Sequence, residues 1–225
     1  MCELKPTDGD PVPSPLGRGS VRARPAGEDG LRLGRRTSAG PGPTLVPAGL
    51  VVLVGPPASG KTSFVRALVA HGRIDEDAVV SSDEIRAELF GASPAEGETD
   101  AADAFVFGER DRRIIARLAC GGTAVAESTN VTPPSRARLL AIAGRFDAPV
   151  TMLRFDPALG ALLQQHAGRG RTDVTTAEVR AFAEVMARHG GADQLYSEGA
   201  HAVHDVHGRR QGVTPAEAAA RFSFA

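Results

Sequence analysis

Tryptophan is absent from this chain of 225 residues, tyrosine occurs once, and cysteine occurs only as Cys2 and Cys120. Two cysteines so far apart in sequence offer neither a disulfide framework nor a cysteine zinc site. Lysine is nearly missing too: Lys5 and Lys61 stand against 24 arginines. No apolar run approaches the length needed to cross a bilayer, and no charged leader with an apolar segment opens the chain. A cytoplasmic location with no membrane partner is the expectation.

The first 48 residues do not read as folded. They hold half of the sixteen prolines, with glycine and arginine filling much of the rest. Apolar residues are too sparse there to offset the entropy of ordering, so a disordered tail is expected over residues 1–48. Seven basic and five acidic residues fall in it, which leaves the remaining chain at −3. A mildly acidic core lacks the footprint of a promiscuous nucleic-acid binder.

Against these absences, one segment is dense in information. Val51-Val52-Leu53-Val54 has the pattern of a short buried strand and runs into Gly55-Pro56-Pro57-Ala58-Ser59-Gly60-Lys61-Thr62. This is the complete G-x-x-x-x-G-K-[ST] phosphate-binding signature. Its glycines let the backbone wrap closely around terminal phosphates, and the N–H groups and the following helix N-terminus supply positive potential. Lys61 adds a point charge, Thr62 offers a hydroxyl to Mg²⁺, and Ser63 completes the nucleotide-binding stretch. An arginine-rich chain has kept lysine where a slim, flexible ammonium is needed. The ligand expected is a nucleotide with Mg²⁺.

Strand and helix patterns then alternate. Phe64, Val65, Leu68 and Val69 mark a helix, Ala78–Ser81 a strand, Asp83–Phe90 a helix, and Gly91–Thr99 a loop. A helix over Ala101–Ala119 carries Ala104, Phe107, Ile114, Ile115 and Leu118, and the run Glu109 to Arg113 is expected on its wet side. Thr123–Ala126 reads as a strand, Pro133-Pro134 as a helix start, and Pro149–Phe155 as a strand, with Asp156 capping the next helix. Thr175-x-x-Glu178 is a capping box, Ala202–Val206 a last strand, and Thr214-Pro215 the start of a short C-terminal helix on which Phe222 and Phe224 follow. Such alternation argues for an α/β fold: a three-layer arrangement with a mostly parallel sheet and a site at the carboxyl ends of its strands. The expected division is a folded domain over 49–208 and a C-terminal extension over 209–225.

Ser81-Ser82-Asp83-x-x-Arg86 ends the second strand, which puts Asp83 at the sheet edge of the phosphate loop and Arg86 one helical turn away. An aspartate there can take the proton of an attacking hydroxyl; alternatively it caps its helix. Glu127-Ser128-Thr129-Asn130 ends the third strand. Glu127 can hold a Mg²⁺-bound water, and Asn130 can fix a loop or touch substrate; both also suit a plain turn. Gly168-Arg169-Gly170-Arg171-Thr172-Asp173 lies between two helices as a natural helical lid, whose arginines could close over polyphosphate. His201, His204 and His207 make a poor metal site, since alternate strand residues face opposite ways.

These segments resemble the polynucleotide 5′-kinase-like group of P-loop kinases, with AAA-type ATP-binding and zeta-toxin-like relatives. The resemblance covers about Leu50 to Val206 and includes Glu198-Gly199 before the last strand. It implies that Lys61 and Thr62 hold ATP·Mg²⁺, that Asp83 is the general base, and that Arg86 binds a phosphate of the acceptor. It also implies that Arg171 is a catalytic lid arginine and that Arg169 assists nucleotide binding. The strand-end acid of the group is usually Asp where this chain has Glu127, and Ala167-Gly168 stands where an Arg-Asn pair is common.

The expected activity is transfer of the γ-phosphate of ATP to a hydroxyl, most specifically the 5′-OH of a nucleic acid. The acidic segment with Glu96, Glu98, Asp100 and Asp103 would repel a polyanion and favours the alternative of a small hydroxylated acceptor, such as an antibiotic, nucleoside or sugar nucleotide. A reading of another class is an ATP-hydrolysing regulatory switch. Oligomeric state is unreadable at this level.

Overall fold

Residues 42–91, 100–168 and 174–225 are described by the computed structural model. The central sheet holds β2 (Leu50–Val54), β3 (Val79–Ser81), β4 (Ala124–Glu127), β5 (Val150–Arg154) and β6 (Ala202–Asp205) in the order β3-β4-β2-β5-β6. Every neighbouring pair in it is parallel. Parallel strands need crossover segments, and here these are mostly helices that cover both faces of the sheet.

β2 shows how the sequence builds three layers. All five of its residues are buried. Leu50, Val52 and Val54 point into one core with Ala124, Ala126, Val150 and Met152, whereas Val51 and Leu53 point into the other with Val125 and Leu153. Period-two alternation thus splits one apolar run between two layers. The first layer is completed by α2 (Ser82–Phe90), α3 (Asp100–Ala119), α4 (Pro133–Gly144), α6 (Thr176–His189) and α7 (Ala192–Glu198). The second is completed by α1 (Lys61–Ala70) and α8 (Pro215–Ala220), and α5 (Leu159–Ala167) follows β5.

Local signals set several boundaries. Ser81 accepts from the Glu84 N–H and caps α2. Thr175 and Glu178 form the expected capping box of α6, Thr214 and Glu217 form another at α8, and Pro133 opens α4.

Three expectations are corrected, and one helix was not foreseen. The ordered domain begins before residue 49, because β1 (Thr44–Val46) pairs in parallel with β7 (Phe222–Phe224) as a separate two-stranded sheet. No local pattern could announce β1, since its partner lies at the far end of the chain. Asp156 does not cap α5, which starts at Leu159 behind Ala158. The helix α7 comes unheralded, being short and mostly polar. Finally, the charge run of α3 is not wholly wet: Arg110 is 2% exposed and Asp111 8%. Arg110 continues the i, i+4 stripe of Ala102, Val106, Ile114 and Leu118, all buried, so helical geometry carries it inward.

Candidate active site

At the carboxyl end of β2 the chain turns through Gly55–Gly60 into α1, and each unusual backbone angle has a residue suited to it or held in it. Gly60 has φ +103°, and Ala58, with φ +63°, bears the left-handed conformation despite its Cβ. Gly55 has no room for a side chain: a Cβ there would stand 2.6 Å from the Phe155 carbonyl oxygen. The Lys61 ammonium folds back over the loop, donating to the carbonyls of Gly55 and Pro56 at 2.8 Å each and to Ser59 Oγ at 3.3 Å. A concave rim of N–H groups with a buried ammonium is an anion cradle.

The turn after β4 fastens this loop. Thr129 accepts from the Gly55 N–H at 2.9 Å, and the Asn130 amide donates to the Leu53 carbonyl at 2.9 Å. Asn130 is 2% exposed and has φ +46°. Of the roles open to it in sequence, this geometry carries loop fixing. Ser128 donates to Ser82 at 2.6 Å, which ties the same turn to α2.

Glu127 is buried and sits where Thr62 hydrogen-bonds it. Burial pushes its pKa up; Glu84 and Asp83 add to the rise, whereas the Thr62 hydrogen bond and Lys61 oppose it. Thr62 and Glu127 are hard oxygen donors, and a buried carboxylate held above its usual range would be relieved by a divalent cation. These residues fit Mg²⁺. Among the described residues no group of three or more His, Cys, Asp or Glu could hold a metal by itself, so phosphate and water oxygens would supply the other positions.

Asp83 occupies the second residue of α2, and Ser81 is that helix's cap. Asp83, Arg86, Glu127 and the phosphate loop all line one cavity of about 320 Å³. Arg86 is ion-paired with Asp103 of α3. Asp103 is matched by that guanidinium, and Asp100 begins the same helix, where the dipole favours an acid. The acidic segment is therefore less repellent than its sequence implies; Glu96 and Glu98 lie outside the described residues, as do Arg169 and Arg171 of the lid.

The sequence reading missed two arginines. Arg110 lines the cavity wall. Arg136, with 0% exposure, donates to both Glu198 oxygens at 2.6 Å, to the Asn130 carbonyl at 3.0 Å and to the His189 carbonyl at 2.8 Å. It locks the β4 turn, the end of α6 and α7 together. Glu198 was singled out by the resemblance, but its partner was not. The available signal was position: Arg136 shares the inward face of α4 with Leu139 and Ala143.

Residues 50–189 match the model of a family described as AAA domain. No curated protein matches the chain. Among solved structures, a chain of the Pnkp1/Rnl/Hen1 RNA repair complex is similar at 21% identity and TM-score 0.53, over 62% of this chain and 44% of that one. This chain thus spans less than half of that relative's length. A gluconokinase from Sinorhizobium meliloti 1021 is similar at 16% identity and TM-score 0.50, over 77% of this chain and 91% of that one. At these identities the likeness is one of fold, the α/β fold of P-loop kinases. No helix among the described residues is long and apolar enough to cross a membrane.

Proposed function

The chain belongs to the AAA domain family, and from that premise we propose that it is a phosphotransferase that moves the γ-phosphate of ATP to a hydroxyl, most specifically a nucleic-acid 5′-OH. The observation that carries this reading is the meeting of an anion cradle and the Asp83 carboxylate in one cavity, with Ser81 relieving Asp83 of the capping role. Gly55 to Ser63 would hold the nucleotide phosphates. Lys61, released from its loop carbonyls, would draw in the β- and γ-phosphates. Thr62, with Glu127 through water, would hold Mg²⁺, which when bound neutralises charge on the phosphates.

The acceptor oxygen would attack the γ-phosphorus as the bond from that phosphorus to the β,γ-bridging oxygen breaks. ADP departs with that oxygen, and the hydroxyl proton goes to Asp83. Arg86 lies one turn from Asp83 and would contact the acceptor; Arg169 and Arg171 would close over the phosphates from the lid. The nucleic-acid acceptor draws support from the similarity to a chain of an RNA repair complex.

A small hydroxylated acceptor is the second reading, favoured by the limited size of the cavity, about 320 Å³. Labelled γ-phosphate transfer to 5′-OH DNA, 5′-OH RNA, nucleosides and hydroxylated antibiotics decides between them. The first reading expects label on an oligonucleotide 5′ end, label only on a small molecule replaces it with the second, and ATP hydrolysis without transfer to any acceptor replaces both with the switch.

A further inference from the structure

Arg136 takes no part in lining the cavity, yet it stands two hydrogen bonds from the strand that ends in the phosphate loop. Its Nη1 donates to the Asn130 carbonyl at 3.0 Å, and the Asn130 amide donates to the carbonyl of Leu53, two residues before Gly55, at 2.9 Å. One residue before Asn130, the Thr129 carbonyl accepts from the Gly55 N–H at 2.9 Å. The β4 turn therefore grips the entrance to the loop on both sides of Val54.

Asn130 does not hold that posture by itself. Its φ of +46° is left-handed, a region that a non-glycine residue enters at a cost, and its Oδ1 is enclosed without a hydrogen-bond partner among the described residues. Two unfavourable features at one residue persist only where the surroundings over-determine them. Arg136 supplies that determination. Its Nε and Nη2 fork onto Glu198 and Nη2 also donates to the His189 carbonyl, which fixes the guanidinium plane and aims Nη1 at the Asn130 carbonyl. At 0% exposure, bulk water cannot replace a lost partner. We infer that Arg136 is a positioning residue: through Asn130 it sets the conformation of the phosphate loop, and nucleotide affinity depends on it although it lies outside the cavity lining. This rests on the reading of Gly55 to Ser63 as the nucleotide site.

Two variants cut the contacts of the same guanidinium at opposite ends. Glu198→Gln keeps the shape at the fork, removes its charge and leaves the bond to Asn130 in place. Arg136→Lys keeps the charge beside Glu198 but, without the planar fork, cannot serve Glu198, His189 and Asn130 together. Both should melt lower than wild type. Calorimetric titration of the full chain with Mg·ADP, well below either melting temperature, separates them. Arg136→Lys is expected to bind about tenfold more weakly than wild type, the scale of one lost buried hydrogen bond, and Glu198→Gln within about twofold of it. A merely structural arginine would leave affinity intact in both variants or impaired alike in both, and either result overturns the assignment. Should Arg136→Lys not melt cooperatively, Asn130→Gly decides, because glycine accepts the left-handed backbone, keeps the carbonyl for Arg136 and removes the amide from Leu53. It must weaken Mg·ADP binding about tenfold, and unchanged affinity overturns the assignment. Hydrogen exchange of the Gly55 amide is read in the same variants without nucleotide. If the wild type binds no Mg·ADP, the nucleotide reading falls; faster Gly55 exchange in Arg136→Lys than in Glu198→Gln then upholds the positioning of the loop, and equal exchange overturns that as well.

Discussion

At one end of the cavity the consecutive residues Pro57 to Thr62 line the place for phosphates, as one unbroken stretch of loop and helix start. At the other end Arg86, Phe107, Arg110 and Phe182 arrive from three helices and act through side chains. The contrast explains what a one-dimensional reading can reach. A site made of contiguous backbone leaves its conformational demands in the order of residues, such as a glycine where a Cβ would collide. A site gathered from separate helices depends on how those helices are packed, and its members carry no spacing relative to one another.

The strongest way to break this comparison is at the nucleotide end. Lys61→Ala is expected to abolish ATP turnover while circular dichroism stays unchanged, because the ammonium donates to carbonyls of its own loop and the residue bears no part of either apolar core. Retained turnover would sink the assignment of the loop. At the other end the supporting frame is the sensitive part. Arg136→Ala removes a buried guanidinium and strands Glu198, so unfolding in urea should show a loss of about 3–5 kcal/mol, the scale for breaking a buried pair. A loss below about 1 kcal/mol would mean that the surrounding polar groups re-pair or take up water.

Asp83→Asn sharpens the boundary between the two ends. Since Ser81 caps α2, the substitution leaves the helix start intact and removes a proton acceptor. Acceptor phosphorylation should drop roughly a hundredfold or more while Mg·ATP affinity holds within a few-fold. Near wild-type rates would show that Asp83 does not act as the base.

The smallest effect concerns Glu127. Burial raises its pKa in the folded protein, so its favourable contribution is present below the ordinary carboxylate value and is lost as pH rises through the raised one. Without Mg²⁺, Glu127→Gln should therefore melt slightly higher than wild type at pH 8 and nearly level with it at pH 4. A lower melting temperature for the variant at pH 8 would show that the charged carboxylate is already well compensated by Thr62 and Lys61.

The layered fold was largely legible because each strand of the central sheet has its own apolar run and most helices their own start signals. Asp83 and Arg86 were legible for a related reason, since both follow directly from the end of a strand. Arg110 and Arg136 were written in the chain but misread or passed over. Each interrupts an inward-facing helical stripe with a charged residue, and the local charge run around Arg110 disguised it as a solvated face. Arginine on an apolar stripe signals burial, but its partner must come from elsewhere: Glu198 for Arg136 lies 62 residues on, past β5, α5 and α6, and no periodicity connects them. The strand β1 was hidden in the same way by a remote partner.

That remote partner sets an order of events during synthesis. Thr44–Val46 emerges early and can find its hydrogen-bonding partners only when Phe222–Phe224 has been made. Phe222 brings the ring that meets Phe64 of α1 edge-on, with centroids 5.7 Å apart, and so the layer behind the nucleotide loop is completed only then. Because loop-closure entropy grows only logarithmically with length, the long wait weakens the final clasp little once it forms. Its burden is kinetic: Phe64 of α1 waits for its edge-on partner until Phe222 has been made, and truncating Phe222–Phe224 would remove that ring contact and the β1 pairing together.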